Sequence, residues 1–155
     1  MRTLSLSPLA RLAGFAPLAV RIIVGIIMFA HGLQKFQGGP ANFGGFLSQL
    51  GVPAPELMAY VVTFVELVGG ALLIVGLLSR LSALLLTIDL AVAILLVKVN
   101  IGFISPPQSQ LPGAELDLAL IAGFLVILLA GPGRFSLDYA LGIDRDVAEV
   151  RSSRR

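Results

Sequence analysis

Glu66 stands near the centre of Val61 to Arg80, VVTFVELVGGALLIVGLLSR, a stretch that is otherwise almost pure hydrocarbon. A carboxylate at the centre of a bilayer costs roughly 2.5–3.5 kcal/mol on insertion scales, so it should face protein or trapped water and have a partner there. Candidate partners lie in an earlier apolar run. Arg21, His31 and Lys35 fall at roughly 0°, 280° and 320° on a 100°-per-residue wheel and so share one helix face. A second carboxylate, Asp89, sits mid-way along a third apolar run, and Glu115 and Asp117 open a fourth. An imidazole beside a desolvated carboxylate is a proton-handling pair, so His31 and Glu66 are the catalytic candidates. Arg21, Lys35, Asp89 and Glu115 are the candidates for holding a polar substrate.

Bland readings of the same residues stay open. Arg21 could snorkel to the membrane surface, and Asp89 could be a hydrogen-bond bridge between helices. Glu115 and Asp117 could be an ordinary solvated helix start, favoured there by the helix dipole. Lys98 ends its apolar run on the face opposite Asp89 and Asn100 and reads as a snorkelling anchor.

These residues must be positioned by membrane helices. Of the residues, 57% are hydrophobic and 13% charged, with a mean hydropathy of +0.96. Soluble domains carry about 25% charge, so this is an integral membrane protein. Four crossings are predicted, at Leu18 to Phe36, Glu56 to Leu78, Leu81 to Val99 and Glu115 to Ala130. Gly69, Gly70 and Gly76 lie within about 80° of Glu66 on the wheel, giving the second helix a small, polar face that should look inward. The fold class is all-α, a four-transmembrane-helix bundle. A short interfacial helix between the first two crossings is predicted near Asn42, because Phe43, Phe46, Leu47 and Leu50 repeat at i, i+3, i+4 and i+7. Residues 1–16 read as a cytoplasmic lead-in, without a clear signal-peptide cleavage pattern. Residues 17–141 form the membrane domain, and 142–155 a charged cytoplasmic tail.

Net charge is +2, with a pI near 9.5. Nine of the eleven cations are arginines at the ends of apolar runs, which fits topology better than nucleic-acid binding. Both termini are expected on the cytoplasmic side of the cell membrane. The absence of cysteine excludes thiol redox chemistry, thiolate metal sites and disulfides carried by this chain. On the first helix Arg21 lies about 9 Å to the cytoplasmic side of centre and His31 about 6 Å to the outer side. The expected site is one connected cluster at mid-membrane, with Arg21 paired to Glu66 or Asp89 and the other carboxylate protonated or bonded to His31. Lys35, Glu56, Glu115 and Asp117 would line its outer mouth.

The order and spacing of Arg21, His31-Gly32, Lys35-Phe36, Glu66 with Gly69-Gly70 and Gly76, Gly113-Ala114-Glu115, Gly131-Pro132-Gly133-Arg134 and Ser136-Leu137-Asp138 resembles the DoxX family of small four-helix membrane proteins. The resemblance runs from about Leu18 to Leu141. It implies a four-helix membrane bundle and a loose association with quinone-linked and oxidative-stress oxidoreductase systems. Two functions follow as expectations. One is a redox subunit binding a quinone, or a small acid such as a sulfur oxyanion, at the polar centre. The other is a non-enzymatic membrane scaffold or solute transporter. Quinone is the expected cofactor; no haem, flavin or metal is predicted, since one His and three Met offer no usual haem-ligand pair. The expected partners are the lipid bilayer, a redox protein and a second copy of the chain, with no nucleic acid.

Overall fold

A computed structural model describes residues 12–109 and 112–144, and the expected tail lies almost wholly outside them, as does most of the lead-in. The described residues are helical, with no strands. In chain order the helices are α1 (Ala16–Gly38), α2 (Pro40–Gln49), α3 (Pro55–Val75), α4 (Ser79–Leu96), α5 (Ala114–Ala130) and α6 (Leu137–Ala140). A 3-10 turn, Lys98–Asn100, follows α4. Proline stands in the first turn of α1, α2 and α3, where its missing N–H costs no helical hydrogen bond. Gly76, at φ 75°, stops α3, because only glycine takes the left-handed conformation freely.

Three helices are long and apolar enough to cross a membrane: Leu12–Gly38, Pro55–Val75 and Ser79–Leu96. The fourth predicted crossing corresponds to α5, which is shorter at 17 residues. Packing nevertheless closes a ring, α1 on α3, α3 on α4, α4 on α5 and α5 on α1. The core inside it is small and apolar, built on Val24, Met28, Leu73, Leu86, Leu90, Leu120, Phe124 and Ile127. Large apolar side chains also cover the outside, among them Ile23, Leu95 and Leu129, as a surface facing lipid requires.

The closest approach is between α1 and α3. A Cβ on Gly32 would collide with the backbone of Glu66 and Leu67, and one on Gly70 with the backbone of Phe29. Small residues at both places let the two backbones touch, which is how membrane helices gain contact without a hydrophobic driving force. The glycine-bearing face of α3 does look inward, as its pattern predicts: Glu66, Gly69, Gly70 and Gly76 are all buried. On α2, Leu47 is buried and Phe43 and Phe46 are half-buried, but Leu50 is exposed. The predicted stripe therefore packs through three of its four members. Leu50 is the C-cap residue, beyond the last turn of the helix.

At the opposite end from α2, the chain after α5 folds back over the α3–α4 turn. Asp138, on α6 and 1% exposed, accepts hydrogen bonds from the backbone N–H groups of Leu78 (2.6 Å) and Ser79 (2.8 Å). It thereby caps the start of α4 from sixty residues away in sequence. Leu78 is left-handed, at φ 49°. Such a residue costs about 1–3 kcal/mol unless its surroundings hold it, and here the carboxylate does. The molecule thus has an α2 end and an α6 end.

Candidate functional site

The backbone contact at Gly32 places Lys35, one turn further along α1, over the carboxylate of Glu66 on α3, and the two form a hydrogen-bonded ion pair. Lys35 also stands over the ring of Phe43, 5.3 Å from its centroid. This pair forms one wall of a cavity of about 240 Å³ at the α2 end. Met28 and His31 of α1 lie beside it, and Asp89 of α4 joins it. Phe43, Phe46 and Leu47 of α2 close the end of the cavity, so the short helix lies across it.

A second acid–base pair lies on the α4–α5 side. Lys98 Nζ stands 3.7 Å from Asp117 Oδ2 and donates a hydrogen bond to Pro112 O at 2.8 Å. Asp117 Oδ2 is buried with no hydrogen-bond partner, although its residue borders the cavity. A buried carboxylate oxygen without a donor is costly in a dry site and is relieved by a ligand or water that can donate to it. The cavity thus holds His31, two lysines and three carboxylates, set among mainly apolar side chains.

His31, Glu66 and Asp89 border one cavity, and Lys35, expected at its outer mouth, joins them there. Glu66 takes its hydrogen bond from Lys35, however, and not from His31. Arg21 is elsewhere. It is 1% exposed at the α6 end, where Nη1 donates to Pro132 O (3.1 Å) and Nη2 to Phe135 O (2.7 Å). The expected pairing of Arg21 with a mid-membrane carboxylate is therefore replaced by bonds to the returning chain, which the wheel for α1 alone cannot reveal. Its guanidinium also lies against Gly76, where a Cβ would overlap it. Glu115 does not border the cavity. Its carboxylate folds against Gly113, and its backbone N–H bonds to Phe103 O at 3.1 Å. Glu56 is exposed at the start of α3 and lies outside the lining as well.

Lys98 is the residue that sequence reasoning misplaced. A helix extended to Val99 would turn it away from Asp89, but α4 ends at Leu96 and the 3-10 turn carries Lys98 round to the cavity. Three prolines and two glycines follow within fifteen residues, so an early end to the helix was legible there. For Asp138 the sequence offers only its place in Ser136-Leu137-Asp138, just after the turn at Gly131-Pro132-Gly133.

The DoxX family model matches residues 16–99. The chain is 35% identical over 134 residues to the uncharacterized membrane protein Rv3486 of Mycobacterium tuberculosis, covering 80% of each chain. It is 36% identical over 121 residues to a Bacillus subtilis protein with the printed name "Putative oxidoreductase CatD", covering 78% of this chain and 83% of the relative. An uncharacterized protein of Haemophilus influenzae is 32% identical over 120 residues, covering 77% of this chain and 85% of the relative. No solved structure matches the chain.

Proposed function

The chain belongs to the DoxX family, and from that premise we propose that it is a subunit of a membrane oxidoreductase system that binds a quinone in the cavity at the α2 end. The observation that carries this reading is an apolar cavity into which two lysine–carboxylate pairs and His31 converge. A cavity of about 150 Å³ accepts a benzene ring, so 240 Å³ suits one substituted six-membered ring. The name of the Bacillus subtilis relative points to the same chemistry class.

A quinone, when bound, supplies two-electron, two-proton redox chemistry, with the electrons coming from a partner redox protein. The residues of this chain hold the ring oxygens and handle the protons. The lysine ammonium groups would donate hydrogen bonds to its carbonyl oxygens, Lys35 while held by Glu66. Asp117 Oδ2 is an acceptor ready for a hydroxyl made on reduction. His31 and Glu66, on the same cavity, pass protons to and from the site. α2 across the end restricts water, which strengthens each of these interactions.

The same reading takes α5 as a fourth crossing, making a four-helix membrane bundle. Seventeen residues are at the short limit for a span. α5 begins beside Lys98 at the α2 end and finishes where Arg80 donates to Leu128 O at the α6 end, so it runs alongside the other three. Its outer face, Leu118, Leu125, Val126 and Leu129, is apolar and exposed, which suits lipid and would be a liability in water. Both termini then lie on the cytoplasmic side of the cell membrane, in keeping with the arginine bias. Reporter fusions after Arg80 and at the C-terminus check this: external activity at either place breaks the topology.

The functional test is purification with native lipid followed by extraction of bound quinone. Wild-type protein should retain quinone and Glu66→Gln should lose it. Equal retention, or solute uptake into vesicles without redox change, would replace the redox reading with the transport one.

A further inference from the structure

The lining of the cavity includes side chains that are exposed on the outside of the helix ring. Val92 and Leu96 of α4 border the cavity and are 46% and 41% exposed. Their position on the ring follows from one contact. A Cβ on Gly69 of α3 would stand 3.3 Å from Leu86 Cγ of α4, so the two helices are in contact at that level. Because they run antiparallel, one turn towards the α2 end brings Glu66 opposite Asp89, and the next bring Val62 opposite Val92 and Met58 opposite Leu96. All six of these residues line the cavity, so above the Gly69–Leu86 contact the cavity extends between α3 and α4. Val62 and Val92 lie within about 7 Å of the midpoints of their helices, well inside a hydrocarbon half-thickness of about 15 Å.

The end facing water is built differently. α2 lies across it, and the loop before α5 is tied down by Lys98 to Pro112 O, Ala114 N–H to Gly102 O and Glu115 N–H to Phe103 O. The charges inside also discriminate. Each lysine already faces a carboxylate, Lys35 with Glu66 and Lys98 with Asp117. A small anion would find no unpaired lysine in the lining and would first have to break an existing pair.

We propose that the cavity is entered from within the bilayer, through the gap between α3 and α4, and that its ligand is an uncharged, lipid-dissolved ring compound and not a water-borne anion. This rests on the reading of the cavity as a ligand site. It goes further by naming the route and by removing the sulfur-oxyanion class from the candidate ligands. Val92 and Leu96 are the gateposts on this route, and Glu66 and Asp89 lie one turn further in.

The cysteine-free chain permits a direct test in proteoliposomes. Leu90 lines the inner wall of the cavity and is 6% exposed, so a thiol in Leu90→Cys can be reached only through the cavity. It should react with bilayer-partitioning N-phenylmaleimide and resist anionic sulfonatoethyl methanethiosulfonate. Adding Val92→Trp to plug the gap should slow the maleimide by about tenfold, whereas adding Leu95→Trp, on the lipid face away from the gap, should not. Ala93→Cys repeats the experiment without removing a large core side chain. Fast labelling by the anionic reagent, no reaction with the maleimide, or no effect of Val92→Trp would each overturn the proposal. Retention of a decyl-substituted benzoquinone by the wild type is measured separately. Labelling through the bilayer with no quinone retained would sink the redox reading and leave the route standing.

Discussion

The two ends of this molecule bury charge in opposite ways. At the α6 end, Arg21 and Asp138 are each 1% exposed and their hydrogen bonds go to main-chain groups: Arg21 donates to two carbonyls through Nη1 and Nη2, with Nε left unpaired, and Asp138 accepts from two N–H groups. Asp138 borders an open recess of about 350 Å³ with Leu78, Ser79, Arg80 and Asp144, but both of its carboxylate oxygens are already taken by backbone N–H groups. At the α2 end, Lys35, Glu66, Asp89, Lys98 and Asp117 border a cavity, and one carboxylate oxygen has no hydrogen bond. A charge bonded to backbone holds a particular chain path and can do little else. One that faces other side chains across a space can change partners when something enters it. Burial alone, therefore, does not tell a structural charge from a functional one in a membrane protein; the identity of the partner does.

The comparison is broken most severely if Asp138→Ala is tolerated. Losing that carboxylate leaves one buried N–H group, that of Ser79, and one part-buried one, that of Leu78, unpaired, so we expect a loss of about 3 kcal/mol in thermal or denaturant unfolding in detergent. Asp138→Asn keeps one acceptor and should recover roughly half of that loss. A shift smaller than that of an ordinary surface substitution would show that the α6 end is not held by this cap.

A smaller effect is expected at the cavity. Lys35→Met strands Glu66 and should cost about 2 kcal/mol, because water in the cavity can take the place of the lysine in part. The double substitution Lys35→Met with Glu66→Gln should return stability to within about 1 kcal/mol of wild type, since a buried ion pair is replaceable as a pair. If the double variant is as unstable as the single one, the cavity pair is a structural brace and the contrast between the ends fails.

The smallest effect sharpens the picture of the cavity's cover. In single-cysteine variants, a water-soluble maleimide should label Leu50→Cys several-fold faster than Leu47→Cys, because Leu50 is exposed and Leu47 faces the cavity. Equal rates would mean that α2 stands away from the rest of the protein in the membrane.

Much of this arrangement was legible in the sequence because a bilayer permits few solutions. Glu66 in a glycine-bearing apolar helix had to turn inward, and it did so together with His31, Lys35 and Asp89. The i, i+3, i+4 pattern of α2 indicated its packed face as far as the helix itself extends. The failures have a common cause, which is that a helical wheel describes one helix and stops at its end. Lys98 lies past the end of α4, so its phase on the wheel was meaningless. Arg21 is on α1 but is satisfied by residues 111 and 114 positions later, and no local pattern encodes a return of that length. Asp117, read as part of an outer mouth, is in the cavity lining because the 3-10 turn brings Lys98 to it.

The distance in sequence between Arg21 and its acceptors also has a consequence for how the protein is made. At about 5–20 residues per second, the ribosome needs roughly 6–20 s after Arg21 to reach Pro132, and roughly 3–12 s after Leu78 to reach Asp138. During that interval α1 carries a permanent cation, and α4 has an uncapped start, before the segment that satisfies both exists. Insertion must therefore proceed with Arg21 held near the membrane surface or by the insertion machinery. Only the last described segment of the chain, once synthesised, allows the arginine to be drawn in and the helices to lock.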